Sequence, residues 1–346
     1  MKKSFVVTAA IAAAILGAAA LGGCNKERAP QTLSFAGDLQ TLYGGQDGYP
    51  QAVLVGKKSV LESDAGAVGT LLSYFAGSAS YLASTDGAAI ASLLQSKYPS
   101  GQTPTFNANN LTAEVISHCS VRFTKSADCK DKVNAFLEKL VAVDSQFTNT
   151  VADEFYYTLS PVAAESSNTY SVYAPDGAPA LSLAYGISQA QQTFTYHVVA
   201  ATTIAAQVSG ESPAADFCVL PVNAAAKLLG NGQKYQMLGT VTNGNMYFLA
   251  AGEQETLTAA NLKTALKGKT IGVVQLANVP GLTLRAVLEE YGVEYAILGN
   301  DTAADDKNKV YLKALSDATQ VSPVGGCDYY LCPEPAASAK VKASNS

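Results

Sequence analysis

The sequence predicts an α/β protein made of two lobes, and three observations carry that prediction. From Tyr170 onward, short apolar strands alternate with short helices, the rhythm of βαβ units around a largely parallel sheet. Polarity rises over 252–258, and a second cycle of the same kind begins there. Segment order is the third observation. Tyr170 reads like the start of a domain but lies near the middle of the 346 residues, and what would complete such a fold lies at 33–157.

The first lobe opens with an alternating strand at 170–174, which turns through Pro175-Asp176-Gly177-Ala178-Pro179 into an apolar helix at 180–190. A strand at 196–200, a short helix at 203–209 and a buried-type strand at 217–220 follow. Pro221-Val222-Asn223 then opens a helix at 224–229. Strands at 235–241 and 246–250 flank Thr242-Asn243-Gly244-Asn245. In the second lobe a helix at 262–266 precedes a strand at 270–274. The loop 275–281 leads to a helix at 282–291 that stops at Gly292. A strand at 295–298, a helix at 309–317 and a strand at 327–331 come next, and Pro333-Glu334-Pro335 precedes a helix at 336–342. Nearer the N-terminus, strands at 33–38 and 51–57 bracket a Gly- and Tyr-rich segment. Residues 62–155 read as mostly helical, over 69–82, 87–94, 111–116 and 128–143. Phe136, Leu137 and Leu140 give the last of these one apolar stripe, a core-facing pattern.

Residues 1–24 are set aside from the fold. Lys2-Lys3 is a positive n-region, 5–21 is apolar and alanine-rich, and Leu21-Gly22-Gly23-Cys24 has the small residues that precede a lipidated cysteine. The expectation is an extracytoplasmic protein anchored to the cell membrane by lipid on Cys24; an ordinary secretory signal with a chance cysteine and an uncleaved anchor helix are the other readings. No later stretch reaches the roughly 18 continuous apolar residues of a spanning helix. About 320 residues remain, room for two domains of ordinary size. A net charge of -5 and only three arginines, Arg28, Arg122 and Arg285, argue against a nucleic-acid partner. Arg285, a turn inside its helix, is expected to be surface or structural.

Five cysteines follow Cys24, and export would permit Cys119/Cys129 or Cys327/Cys332 to pair, with at least one thiol left over. The histidines are His118 and His197. His118-Cys119 is a poor metal pair, since adjacent strand residues point to opposite faces, so a structural role is expected and no metal or cofactor. Neither histidine lies near a convincing serine or cysteine nucleophile, and no catalytic residue is assigned.

Several motifs carry a family resemblance. They are Tyr170-Ser171-Val172-Tyr173-Ala174-Pro175-Asp176-Gly177-Ala178-Pro179, Phe217-Cys218-Val219-Leu220-Pro221-Val222-Asn223-Ala224-Ala225, Val279-Pro280-Gly281-Leu282-Thr283-Leu284-Arg285, and Asp328 through Pro335. On these, 169–340 resembles the first two-thirds of an ABC-transporter substrate-binding protein of the nitrate/sulfonate/thiamine-precursor group of type II periplasmic binding proteins. Gly37-Asp38-Leu39-Gln40, Tyr49-Pro50-Gln51-Ala52-Val53-Leu54-Val55 and Asp153-Glu154-Phe155-Tyr156-Tyr157 make 33–157 similar to the last third of the same family.

The resemblance implies a two-lobed Venus-flytrap fold in circularly permuted order. Residues 25–50 would supply an edge strand of lobe 2 and a crossing, and 51–157 the rest of lobe 1. A linker at 158–168 would join the old termini, 169–251 would begin lobe 1, and 252–346 would form lobe 2. Crossings are expected near 250–252 and 43–50, and the strand at 33–38 beside those at 270–274 and 327–331. Two unrelated domains are the alternative. The implied function is delivery of a small solute to an ABC permease and its ATPase by a monomer, with ligand sensing without transport, or an enzyme on a related fold, as alternatives.

In open α/β sheets a ligand sits beyond the carboxyl ends of strands, where helix N-termini favour anionic groups. The candidate ligand contacts are therefore Asp176, Gly177 and Ala178; Pro221 and Asn223; Thr242 and Asn243; Asn278, Val279 and Pro280; and Glu334. Few arginines argue against a guanidinium–carboxylate fork. A small anion held by backbone amides, or a flat heterocycle stacked on tyrosine, fits better.

Overall fold

The computed structural model describes residues 32–299 and 304–346. The chain enters with β1 (Leu33–Asp38) and α1 (Leu39–Gly44), where the Asp38 carboxylate caps the helix by accepting from Thr41 N. Strand β2 (Ala52–Lys57) is apolar almost throughout because both its faces are covered. Helices α2 (Lys58–Ser63), α3 (Ala65–Ser84), α4 (Gly87–Gln95) and α5 (Ala113–His118) follow, the last three capped by the side chains of Asp64, Asp86 and Thr112. Next come β3 (Val121–Lys125), α6 (Ser126–Asp144), β4 (Tyr170–Pro175), α7 (Ala178–Leu181), α8 (Ala184–Ser188) and β5 (Phe194–Val199). Then follow β6 (Phe217–Pro221), α9 (Val222–Leu229), β7 (Tyr235–Thr242), β8 (Met246–Ala251), α10 (Leu262–Ala265) and β9 (Thr270–Val274). The remainder is α11 (Val279–Glu290), β10 (Tyr295–Ile297), β11 (Val310–Leu315), β12 (Tyr329–Pro333) and α12 (Ala336–Ser344).

Two mixed six-stranded sheets result, within one compact unit, Gln31–Ser346. One is ordered β5-β4-β6-β2-β7-β3. Its strands β4, β5 and β6 are parallel, and β2 runs against both β6 and β7. The other is ordered β10-β11-β9-β12-β8-β1, and β8 runs against both β12 and β1. Five strands of each sheet share a plan, β5-β4-β6-β2-β7 in one and β11-β9-β12-β8-β1 in the other: three forward strands, then one reversed strand, then a fourth forward strand, with β3 and β10 as additional edge strands. In the first sheet the fourth strand is β7, after which the chain crosses and enters the other sheet as reversed β8. In the second sheet the fourth strand is β1, after which the chain crosses back and enters as reversed β2. The two cycles correspond only if β1 is placed after α12. Those elements touch: Leu33 N donates to Ser344 Oγ at 2.9 Å, and Asn345 Nδ2 donates to the Leu33 carbonyl at 3.2 Å.

Three apolar clusters hold the layers. Alternate residues of β2, β4, β6 and β7 face α3, α4, α5, α7 and α8. The opposite face packs on α6 and α9, and this core continues without a break under α10 and α11 of the second sheet. The remaining face of the second sheet is closed partly by α12. The two sheets thus share a core along one side, where Arg285 Nη1 on α11 lies 3.1 Å from Asp144 Oδ2 on α6. Arg285, at 8% exposure, is structural.

Several expectations are corrected. Residues 309–317 are not a helix: Val310–Leu315 is β11, paired in parallel with both β9 and β10. The helix expected at 180–190 is split into α7 and α8. Strand β8 belongs to the second sheet, so the chain crosses at 243–245 and not near 250–252. Strand β1 lies in the expected sheet, but β8 separates it from β12 and β9. Strand β3 was not expected at all. All five described cysteines are free and buried. Cys119 and Cys129 belong to cores on opposite faces of the first sheet, which explains why they do not pair. Burial pushes the Cys218 and Cys332 thiols well above the ordinary range.

Residues 158–168 pass over the start of α3. A Cβ on Gly69 would fall 2.6 Å from Ala163 N, so only glycine allows this approach. The Asp64 carboxylate ties the segment down, accepting from Ser166 Oγ at 2.5 Å, Tyr170 OH at 2.9 Å and Ala67 N at 3.0 Å. The bond from Ser166, then that from Ala67, holds its pKa below the usual carboxylate value. Asp64→Ala should cost about 1–2 kcal/mol through loss of the cap. Because the folded pKa is the depressed one, the charge contributes above the unfolded value and is lost as pH falls through the folded one. The melting-temperature gap between wild type and Asp64→Ala should therefore be full at pH 7 and shrink on acidification. A gap independent of pH would show that the carboxylate charge is not responsible.

Candidate functional site

The strand registers set two edges against each other. Ala52 pairs with both Pro221 and Thr242, so β6 and β7 end level with one another at the crossing. In the second sheet Pro333 pairs with Met246 and Leu331 with Val273, which brings the ends of β12 and β9 to the same place. The loops after β6 and β7 thereby face the loops after β9 and β12, where open α/β sheets take ligands.

The two crossings are bonded to each other. Asn245 N donates to Gln51 Oε1 at 3.0 Å, Gln51 Nε2 donates to Asn245 Oδ1 at 2.5 Å, and Met246 N donates to Gln40 Oε1 at 3.0 Å. Gly48 has φ +56°, and a Cβ there would sit 2.0 Å from the Asn243 carbonyl oxygen. Behind these lies Tyr49, fully buried and stacked on Phe136 with ring centroids 5.4 Å apart.

Glu334 is a buried carboxylate at this junction. Only 1% exposed, its carboxylate accepts from Ser338 N at 3.0 Å and Ser338 Oγ at 2.6 Å. Its backbone is locked to the crossing through Glu334 N to Asn245 O and Asn245 Nδ2 to Glu334 O, each 2.9 Å. From the other lobe His118 places Nδ1, buried and without a hydrogen-bond partner, 3.6 Å from Glu334 Oε1. Tyr247 OH donates to the His118 carbonyl at 3.3 Å, and the two rings lie 5.1 Å apart. Burial, then the nearby Asp38 and Glu334 carboxylates, pushes the Tyr247 hydroxyl above its ordinary pKa. Farther along the same side Lys342 Nζ donates to the Asn109 carbonyl at 3.4 Å. These contacts join the helices of the two sheets on the side opposite the shared core.

The candidate contacts divide accordingly. Thr242, Asn243 and Glu334 meet around the crossing; Asn243 N donates to the Ser120 carbonyl at 3.1 Å, and Thr242 Oγ1 is buried without a partner. Pro221 flanks them through its pairing with Ala52. Asn223 turns to the other side, its Nδ2 donating to the Phe147 carbonyl at 3.0 Å while Oδ1 is buried and unpartnered. Asp176 is occupied inside its own lobe, accepting from Tyr98 OH at 2.7 Å and from Thr105 N and Oγ1 at 3.1 and 2.5 Å. It fixes its loop, together with Gly177 at φ +102° and buried Ala178. Asn278 precedes α11 without a side-chain cap, and Val279 and Pro280 are buried, Val279 in the shared core. No hydrogen bond among the described residues joins Asp176, Asn223 or Asn278 to one another or to Glu334.

Gln40, Gln51, Asn245, His118 and Tyr247 were not among the candidates. The signal for Gln51 and Asn245 was available: both are polar residues at the border of apolar strands next to a chain crossing. Among the described residues no three His, Cys, Asp or Glu side chains converge as metal ligands would, and no helix is long and apolar enough to cross a membrane. No family model, curated protein or solved structure matches this chain.

Proposed function

We propose that the chain is an extracytoplasmic solute-binding lipoprotein of the type II periplasmic-binding plan, circularly permuted, which captures a small solute between its lobes for an ABC permease and its ATPase. Cys24, outside the described residues, would carry the lipid anchor. The observation that carries this reading is the matched five-strand plan of the two sheets, in each of which a reversed strand is delivered by a crossing from the other. Two crossings bonded side by side, next to the shared α6–α11 core, would act as a hinge, and closure around a ligand is what such joints permit. Correspondence of the cycles only when β1 follows α12 supports the permuted order. The His118–Glu334 and Lys342–Asn109 contacts are those that opening would break, which puts the mouth on their side and the pivot beside the α6–α11 core.

The test is a thermal-shift screen of the intact chain with sulfonates, nitrate, pyrimidines and polyamines, followed by solution scattering with the best hit. At least one compound should raise the melting temperature and reduce the radius of gyration. Glu334→Gln, which keeps the side-chain shape, should weaken that compound at least tenfold and leave the unliganded melt nearly unchanged. A hit that binds without compaction would argue against closure.

A further inference from the structure

We propose that a pocket beside β3, inside the first lobe, is a second binding site that takes a small organic anion with a compact apolar body. The pocket encloses about 350 Å³, within the range of small-molecule sites. Leu82 and Ala83 of α3, Ile116 of α5 and Val121 of β3 give it apolar walls, whereas Ser117, Ser120, Arg122 and Asn243 bring polar groups. Such a lining, apolar with a few polar groups, suits a ligand that is largely hydrocarbon and oriented at one end.

Arg122 decides which end. It is the one charged residue of the lining, and no carboxylate accompanies it. Among the described residues it enters no ion pair, and its one side-chain hydrogen bond runs from Nη2 to the Asp47 carbonyl at 3.4 Å. A guanidinium has five N–H donors in a planar fork that matches a carboxylate, so most of its capacity is open. Lys132 Nζ reaches the same Asp47 carbonyl at 3.1 Å, and its charge offsets that of the nearby Asp47 carboxylate, which leaves the Arg122 cation uncompensated there. The wall is also preformed. Asn243 N donates to the Ser120 carbonyl at 3.1 Å and Asn243 Nδ2 to the Arg122 carbonyl at 3.0 Å, which fixes the start of β3 before any ligand arrives.

Calorimetric titration of the intact chain with 2-naphthoate and its uncharged counterpart 2-naphthamide tests this. Naphthoate should bind at least tenfold tighter than the amide. Arg122→Gln, an exposed position that should not disturb folding, should remove that preference, and Ala83→Phe should block both compounds by filling the pocket. Glu334→Gln, in the cleft between the lobes, should leave naphthoate binding unchanged. Equal binding of acid and amide, binding of neither, full affinity in Arg122→Gln, or loss of naphthoate in Glu334→Gln would each overturn the assignment.

Discussion

Gly48→Ala should destabilise the protein by about 3 kcal/mol. Two costs combine. The φ of +56° with ψ of -153° puts residue 48 in a region open essentially to glycine alone, where an L side chain costs about 1–3 kcal/mol. The added Cβ would also lie 2.0 Å from the Asn243 oxygen and 3.1 Å from its carbon, backbone atoms that cannot rotate aside. The crossings must separate, which strains the Gln51–Asn245 pair and adds roughly 1–3 kcal/mol as overpacking does. Gly45→Ala is the control. Its φ is +75°, but nothing lies within 4 Å of its Cβ, so it bears the conformational cost alone. Urea unfolding of both variants measures the difference, and equal losses would mean that close approach of the crossings contributes nothing. In a two-lobed binder Gly48→Ala should also loosen solute capture, because the displaced atoms form the hinge.

Features set by local periodicity could be read from the sequence. The alternation from Tyr170 gave β4, the unbroken apolar runs gave β2 and β6, and the Phe136, Leu137, Leu140 stripe gave α6. The out-of-order reading also had a local basis, since β4 begins after a polar stretch as a domain would. Sheet membership had none. Met246–Ala251 is apolar on both faces, and only its partners β1 and β12 place it in the second sheet. Strand β11 misled because Val310 with Ala314, and Leu312 with Leu315, keep the i, i+4 and i, i+3 spacing of a helix. The parallel ladder on both sides overrides that pattern. Asp176 looked like a ligand contact for a sound reason, as a carboxylate ending a strand. Its occupation by Tyr98 and Thr105, 78 and 71 residues away, is a tertiary fact that no window around Asp176 contains. Glu334 stood out by the same rule, but its partner His118 approaches from the other lobe and carried no sign of that in its own neighbourhood.

Arg285→Met should lower stability by about 3 kcal/mol and loosen the packing of α11 on α6. The guanidinium, 8% exposed, spans α11 and the end of α6. Nη1 meets Asp144 Oδ2 at 3.1 Å, Nη2 donates to the Val143 carbonyl at 3.1 Å, and Nε donates to Tyr295 OH at 3.3 Å. Because Val143 and Asp144 close α6, the cation also lies at the negative end of that helix dipole. Methionine keeps the packing of the stem but leaves Asp144, whose side chain is 21% exposed, without its partner. Breaking one side of a buried pair costs about 3–5 kcal/mol, and the partial exposure of Asp144 puts the expected value at the low end. Arg285→Lys keeps the charge but not the fork, so it should lose less. The double variant Arg285→Met/Asp144→Leu should recover most of the loss, since an apolar pair of similar volume often replaces a buried ion pair without penalty. If the double variant is as unstable as the single one, the penalty lies in the hydrogen bonds to Val143 and Tyr295 and not in the stranded carboxylate. Should Arg285→Met leave the denaturation midpoint unchanged, the Arg285 contacts with Asp144, Val143 and Tyr295 add nothing to the apolar packing of α6 on α11.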